Sequence, residues 1–490
     1  MKRAATFAVI SMLATLAGCS FAPTYKTPVV EVPNTFKEAQ EWQTATPADE
    51  IKRGEWWLAY GDKLLDELEA KVDVANPNLA AAADRYAQAR TLVTQAQAAQ
   101  LPLVNAAALS TNNRQSDHRP LRSASQPDEY GNNDIGMQIS YELDLWGRVR
   151  NQVAVNEANA QASAADLESV RLSLHAELAT DYIALRGFDA EHKLLLDTLD
   201  AYARALKVTA NRHSGGIGSG LDEARAQTQL DNAKAQISDV ATRRALLEHA
   251  IASLTGTPAS EFSISLQPDI LQLPVIPPGL PSTLLQRRPD IAAAERRTAA
   301  ANQQIGIARA AFFPSITLNA QGGYQNTGGN TWLSAPNSYW SLGPGLLLNL
   351  FDGGRRRAEV ERARLALDES GQRYRAEVLN AFAQVEDNLA LLDLLAKESS
   401  DENAATVSAM HTLDLAQNRY DNGAVSYLEV IESQTAALQA QRTALSIHTR
   451  QLQSSVGLIK AIGGGWSNDL LGDTNVDKTA QTMTTKNARN

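Results

Sequence analysis

The stretch Ile135-Gly136-Met137-Gln138-Ile139-Ser140-Tyr141-Glu142-Leu143-Asp144-Leu145 puts Ile135, Met137, Ile139, Tyr141, Leu143 and Leu145 on one face and Gly136, Gln138, Ser140, Glu142 and Asp144 on the other. Strict period two over eleven residues predicts a strand with one apolar and one polar side. The pattern returns in 316–324, where Ile316, Leu318, Ala320, Gly322 and Tyr324 alternate with Thr317, Asn319, Gln321 and Gly323. It returns less cleanly in 340–350, where Trp340, Leu342, Pro344, Leu346, Leu348 and Leu350 share a side. Segments 112–134 and 325–339, rich in Asn, Ser, Gly and charge, are read as turns. Strands of this kind suit either the cover of a soluble core or the wall of a membrane barrel. Four strands in lipid would leave two open edges whose backbone groups find no water. A membrane reading therefore needs at least about eight strands, hence two or more chains.

Outward from these strands the chain is written twice. Asn76-Pro77-Asn78-Leu79-Ala80-Ala81-Ala82 returns as Arg288-Pro289-Asp290-Ile291-Ala292-Ala293-Ala294, and Pro102 as Pro314, all at an offset of 212. Asn211-Arg212-x3-Gly216-x2-Ser219-x-Leu221-Asp222 returns as Asn418-Arg419-x3-Gly423-x2-Ser426-x-Leu428-Glu429 at an offset of 207. Repeat symmetry supplies the fourth strand, 103–111, whose own alternation is weak. Segments 148–212 and 355–419 are rich in helix formers and free of proline. As helices of 65 residues each would reach ~100 Å. Glycine-bearing turns at 213–220 and 420–424 return the chain into second helices, 221–255 and 425–462. The expected organisation is a signal peptide 1–18, an N-terminal segment 19–75, a first repeat 76–257, a proline-rich linker 258–287, a second repeat 288–464 and a polar tail 465–490.

Composition excludes several classes of function. With 45 basic against 55 acidic residues the net charge is -10, which argues against a nucleic-acid partner. No run of 18 apolar residues follows the first twenty, so no helical span is expected. One cysteine and scattered histidines give no disulfide, no metal site and no cofactor site. Gly216-Ile217-Gly218-Ser219-Gly220 lacks the preceding strand and following lysine of a phosphate loop, and reads better as a helix-hairpin turn. No catalytic residue is expected. At the N-terminus, Lys2 and Arg3 precede an apolar run ending in Leu16-Ala17-Gly18-Cys19, the form of an export signal closing on a bacterial lipobox. Cys19 is thus the expected lipidation site, carrying an acyl anchor such as palmitate, and by resemblance to bacterial lipoproteins Ser20 after it favours the outer membrane.

Taken in order, the lipobox, Ala22-Pro23-x-Tyr25-x-x-Pro28, Trp56-Trp57-x-x-Tyr60-x-Asp62-x-x-Leu65, Asn76-Pro77-Asn78-Leu79, Leu143-Asp144-Leu145-Trp146-Gly147-Arg148, Arg288-Pro289-Asp290-Ile291, Phe313-Pro314 and Leu350-Phe351-Asp352-Gly353-Gly354 run over nearly the whole chain. In them the chain resembles the TolC-like outer membrane factor family, in its NodT-type branch of efflux lipoproteins. The resemblance implies an α+β membrane protein, a homotrimer whose outer membrane β-barrel takes four strands per chain and continues into a long α-helical periplasmic barrel built from two internal repeats. It implies a passive conduit, lipid-anchored in the cell outer membrane and extending into the periplasm, that takes small solutes such as drugs from a periplasmic adaptor and an inner-membrane pump to the exterior.

By similarity, a leucine and an acidic residue one turn later form rings at the periplasmic constriction, and these map onto Leu428 and Glu432. Arg419 and Tyr420 map onto contacts that hold the closed state. At i and i+4 Leu428 and Glu432 share a helix face; the plainer reading packs the leucine between helices and leaves the glutamate in water. Arg212, Gly216, Ser219, Leu221, Gly423 and Ser426 mark the hairpin tips expected to dock the adaptor. Glu142 and Asp144 are expected to face the lumen. Two alternatives stay open at this point, a conduit for type I protein secretion and a lipid-anchored coiled-coil scaffold.

Overall fold

The computed structural model describes residues 20–39, 54–119, 125, 127–276, 287–328 and 332–465. Cys19, the signal segment, residues 277–286 of the linker and the tail beyond 465 lie outside them. The described elements are α1 (Lys63–Ala75), α2 (Pro77–Ala98), β1 (Leu103–Arg114), β2 (Glu129–Glu142), α3 (Arg148–Ser214), α4 (Gly220–Leu254), α5 (Pro289–Ala310), β3 (Ser315–Asn326), β4 (Ser338–Leu347), α6 (Arg355–Asp421) and α7 (Tyr427–Ala461). From α2 onward one order of elements runs twice, with helices of 22, 67 and 35 residues in each pass. No helix among the described residues is long and apolar enough to cross a membrane.

The chain falls into two compact units. The first holds residues 1–29, 85–163 and 293–375, and with them all four strands. The strands form one antiparallel sheet in the order β1-β2-β3-β4, so β2 and β3 join the two hairpins through pairs running from Asn133↔Asn326 to Glu142↔Thr317. β2 begins earlier than its apolar alternation, at Glu129, and the turn read at 112–134 is correspondingly shorter. Side-chain hydrogen bonds carry the ladder past the apolar stretch: Ser110 Oγ donates to Asn133 Oδ1 at 2.7 Å, and Asn133 Nδ2 to Asn326 Oδ1 at 3.0 Å. At its other end β2 stops at Glu142, short of Leu145. There Asp144 accepts from the Val149 and Arg150 amides at 3.1 and 2.9 Å, which satisfies free donors at the start of α3 and turns the chain out of the sheet.

Residues 20–25 are held beside this sheet. Phe21 stacks on Phe313 at 4.4 Å, and Phe313 on Trp146 at 4.8 Å. Asn302 Nδ2 donates to Pro23 O at 2.7 Å, Arg309 to Phe21 O at 3.1 Å, and the Tyr25 hydroxyl to Glu295 Oε1 at 2.7 Å. Gly306 permits the approach, since a Cβ there would lie 2.8 Å from the Ala22 amide nitrogen.

The second unit, residues 30–84, 164–292 and 376–490, is helical in its described part. Its core includes Leu65, Leu68, Val72, Leu178, Tyr182, Ile183, Leu185 and Ile251, each at most 1% exposed. Asp62 caps α1 by accepting from the Leu64 and Leu65 amides at 2.9 and 3.1 Å, while its other oxygen takes the Tyr182 hydroxyl at 3.0 Å and pairs with Arg186. Asn76 caps α2 and donates to Leu254 O at the end of α4 at 2.8 Å. In the second pass Arg288 donates to Ala461 O at the end of α7 at 3.0 Å.

Candidate functional site

Two regions carry the residues singled out by sequence. In the sheet, register decides which side chains share a face. One cross-strand row is Ala106, Met137, Gly322 and Trp340; the next, on the opposite face, is Ala107, Gly136, Gly323 and Tyr339. Continuing by twos, the first face collects Val104, Ile135, Ile139, Tyr141, Leu318, Tyr324, Leu342 and Leu346, and the second Asn105, Asp134, Gln138, Ser140, Thr317, Asn319, Gln321 and Ser341. The apolar face is the more open one, with Met137 55%, Trp340 82% and Leu342 66% exposed. On the polar face Asp134, Gly136, Ser140, Thr317 and Tyr339 are half-buried, while Asn105, Gln138, Asn319, Gln321 and Ser341 are exposed. A sheet covering a soluble core has the opposite arrangement. Glu142 is on the polar face, bound by both oxygens to Arg148 at 2.8 and 2.6 Å. Asp144, beyond the strand, caps α3 and pairs with Arg150 at 3.2 Å.

The second region is the pair of helix-hairpin ends. α3 closes at Gly216 and α6 at Gly423, both at φ +74°, where a side chain would be strained. In both, the residue after the glycine donates back to an arginine carbonyl, Ile217 to Arg212 O at 2.9 Å and Ala424 to Arg419 O at 2.8 Å. The glycines themselves donate to His213 O and Tyr420 O, the paired bonds of a Schellman cap. Ser219 then caps α4, its Oγ accepting from the Leu221 amide at 3.1 Å, whereas Ser426 precedes α7 without a side-chain cap bond.

The ends differ in the rings they hold. Tyr420, Tyr427, Val430 and Ala226 form a small buried cluster, with the two tyrosine rings 5.3 Å apart. Burial, then the neighbouring Tyr420, Tyr202 and Asp222, pushes the Tyr427 hydroxyl up to about 12. The Arg212 guanidinium sits over the Tyr420 ring at 4.4 Å and reaches the Tyr420 and Asp421 carbonyls at 3.5 Å. Arg419 faces Glu429 at 3.6 Å. In the first end, His213 occupies the place of Tyr420 and Gly220 that of Tyr427, and the imidazole Nδ1 meets Glu223 Oε2 at 2.6 Å. The offset of 207 aligns these positions too, but His213 against Tyr420, Gly220 against Tyr427 and Glu223 against Val430 differ in chemical type, so the repeat itself does not mark them.

Leu428 is 38% exposed and Glu432 is exposed one turn further on; Leu221, Ser219 and Ser426 are exposed as well. Gate and docking candidates therefore gather at these ends, with Arg212, Arg419 and Tyr420 engaged in contacts between and within the hairpins and Leu428 and Glu432 facing outward from the chain.

A family model described as outer membrane efflux protein matches the chain twice, over residues 71–257 and 280–464. The pyoverdine export outer membrane protein OpmQ of Pseudomonas aeruginosa is 31% identical over 473 residues, covering 95% of this chain and 98% of its own. In fold the chain is like the CmeC outer membrane channel of Campylobacter jejuni, at a TM-score of 0.88 and 22% identity over 95% of this chain and 98% of that one. The open state of the MtrE outer membrane channel of Neisseria gonorrhoeae gives a TM-score of 0.80 at 27% identity, covering 91% and 98% respectively. With the family model matched along most of the chain and a relative of this identity along nearly all of it, the chain belongs to the outer membrane efflux protein family.

Proposed function

We propose that this outer membrane efflux component is the channel of a tripartite system, conducting small solutes passively from a periplasmic adaptor and an inner-membrane pump to the exterior. The observation that carries the reading is the open apolar face of the sheet, bounded by β1 and β4 edges that pair with nothing among the described residues. Five apolar rows, from Ile316 and Leu346 to Ala108, Ile135 and Tyr324, span ~27 Å along the strands and ~21 Å at a tilt of ~40°. That is close to the ~25 Å lipid-facing band of outer membrane barrels. Open edges in lipid require closure, and a homotrimer supplies it with twelve strands. The polar face then lines the lumen, Glu142 among its residues, with Asp144 at the strand end.

Each chain contributes two copies of one unit, 76–257 and 288–464, joined by 258–287. Leu428 and Glu432 form the periplasmic gate, with Arg419 and Tyr420 holding it closed. Arg212, Gly216, Ser219, Leu221, Gly423 and Ser426 mark the surface that docks the adaptor. Cys19 carries the lipid anchor.

Current through the purified protein in planar bilayers tests the channel, and absence of both current and heat-modifiable trimers would return the chain to a scaffold role. Leu428→Ala with Glu432→Ala should raise resting conductance and vancomycin uptake by cells; wild-type values for both would remove the gate assignment. Radiolabelled palmitate should enter the wild-type chain and be lost in Cys19→Ser. Cysteines at Ser219 and Ser426 that never capture an adaptor in crosslinking would count against docking there.

A further inference from the structure

On the polar face of the sheet one aromatic side chain crosses a whole strand. The Tyr339 hydroxyl, on β4, donates to Asp134 Oδ1, on β2, at 3.1 Å, passing over β3. Gly136 clears the way, and Gly323 lets β2 and β3 lie close beneath it. A Cβ at Gly136 would lie 2.7 Å from that hydroxyl, and one at Gly323, paired directly with Tyr339, would collide with the Ile135 carbonyl. Close approach of this kind is what glycine within a strand permits.

The charge on this face is one-sided. Among its strand residues the ionised ones are Asp134 and Glu142, and none is Lys or Arg. Glu142 is neutralised by both nitrogens of its bond with Arg148. Asp134 is held instead by a neutral phenol, which fixes the carboxylate in place without cancelling its charge, and most of a carboxylate's acceptor sites remain for water or solute.

We propose that the Asp134–Tyr339 pair makes the strand-lined part of the path prefer cations. The inference rests on the reading that the polar face lines the lumen. Three chains then set three fixed carboxylates at one level of the pore, each beside a tyrosine ring that also attracts cations, with no fixed cation on the same strand faces. Solutes bearing an ammonium or another positive group pass this level more readily than anions.

The test is the reversal potential of the full-length protein in planar bilayers across a potassium chloride gradient. Asp134→Asn should lower the potassium-to-chloride permeability ratio roughly twofold or more, and Asp134→Glu should keep it. Gln325→Lys, which sets an ammonium in direct register with Asp134, should lower the ratio as well and serves if the Asp134→Asn chain does not assemble. Glu432→Gln measures separately what the helix ends add. Gln321→Cys treated with a charged thiol reagent tests the lumen itself. Loss of current there, with the ratio unchanged in Asp134→Asn or, failing its assembly, in Gln325→Lys, overturns the proposal and leaves the lumen reading intact. Unchanged current there overturns the lumen reading, and the proposal with it.

Discussion

The guanidinium carbon of Arg212 lies 4.4 Å from the centre of the Tyr420 ring, joining the last turn of α3 to the last turn of α6. The same group points two nitrogens at the Tyr420 and Asp421 carbonyls, so a fixed cation sits where the end of a helix carries partial negative charge. A cation over an aromatic face at such a site contributes about 1 kcal/mol. Arg212→Gln is expected to loosen the hairpin ends, seen as a rise in resting conductance. Arg212→Lys should restore only part of the effect, because an ammonium cannot both lie flat on the ring and reach two carbonyls. Equal resting currents in all three proteins would show that this contact does not hold the ends together.

Two glycines of like backbone should respond very differently to alanine. Gly216 has φ +74° with nothing within 4 Å of an added Cβ, so Gly216→Ala should cost only about 1 kcal/mol, the left-handed penalty. Gly256 has φ +67°, but its Cβ would collide with the Ala75 carbonyl, and Gly463 would collide in the same way with that of Arg287. Gly256→Ala must also move the end of α1, and Gly463→Ala the residues leading into α5, and each should cost roughly 3 kcal/mol or more. Thermal melts of the detergent-solubilised variants check the order; a Gly216→Ala loss as large as the others would mean that crowding is not what separates them.

Gly306→Ala probes the N-terminal segment. Its methyl would collide with Asn151 Nδ2 and come within 2.8 Å of the Ala22 backbone, displacing residues 21–23 from the Phe313 and Trp146 rings. Overpacking of this kind costs about 1–3 kcal/mol. Limited proteolysis should cut the variant between 20 and 39 faster than wild type, and an unchanged cleavage rate would show the segment to be held elsewhere.

How much of this could be read in the sequence depends on whether each signal is periodic or paired. β2 and β3 are legible because Ile135, Met137 and Ile139, and Ile316 and Leu318, alternate with polar residues. β1 is not, because Ala106-Ala107-Ala108 presents the same small side chain to both faces, and register with β2 decides its faces. The long helices show through composition and the lack of proline. Pairings between distant residues leave no such trace. Tyr339 falls in a segment read as a turn, and its partner Asp134 is 205 positions away. Asp144 continues an alternation perfectly and yet caps a helix, since the amides that bind it follow within six residues and end the strand. His175 belongs to a scattered set of histidines until the fold brings Glu69 to it.

That last pair makes stability depend on pH. His175 is buried, its Nδ1 2.6 Å from Glu69 Oε2 and its Nε2 3.4 Å from Asp73 Oδ1, with Trp57 stacked on the ring at 4.5 Å and Arg171 beside Asp73 at 3.1 Å. Burial works to lower its pKa, but the bonds to Asp73 and Glu69 and their charges outweigh it and raise the imidazolium from 6.5 to about 9. Burial raises Glu69 from 4.5 to about 7, with the pull of His175 offsetting part of it. Both groups bind their protons more tightly folded than unfolded, so both make stability fall as pH rises. The histidine's contribution is complete below about 6.5 and lost as pH passes about 9; that of Glu69 is complete below about 4.5 and lost by about 7. Burial works to raise Asp73, but His175 and Arg171 outweigh it and hold the carboxyl low, so it acts in the other sense and only below 3.8. Between pH 6.5 and 9 the wild-type protein should lose roughly 3 kcal/mol of stability. His175→Gln should melt lower than wild type at pH 6.5, lack the fall above it, and approach wild type beyond pH 9. Melting curves by circular dichroism across that range decide the matter, and a wild-type midpoint that stays level or climbs from pH 6.5 to 9 would show the His175–Glu69 bond to be without weight in the fold.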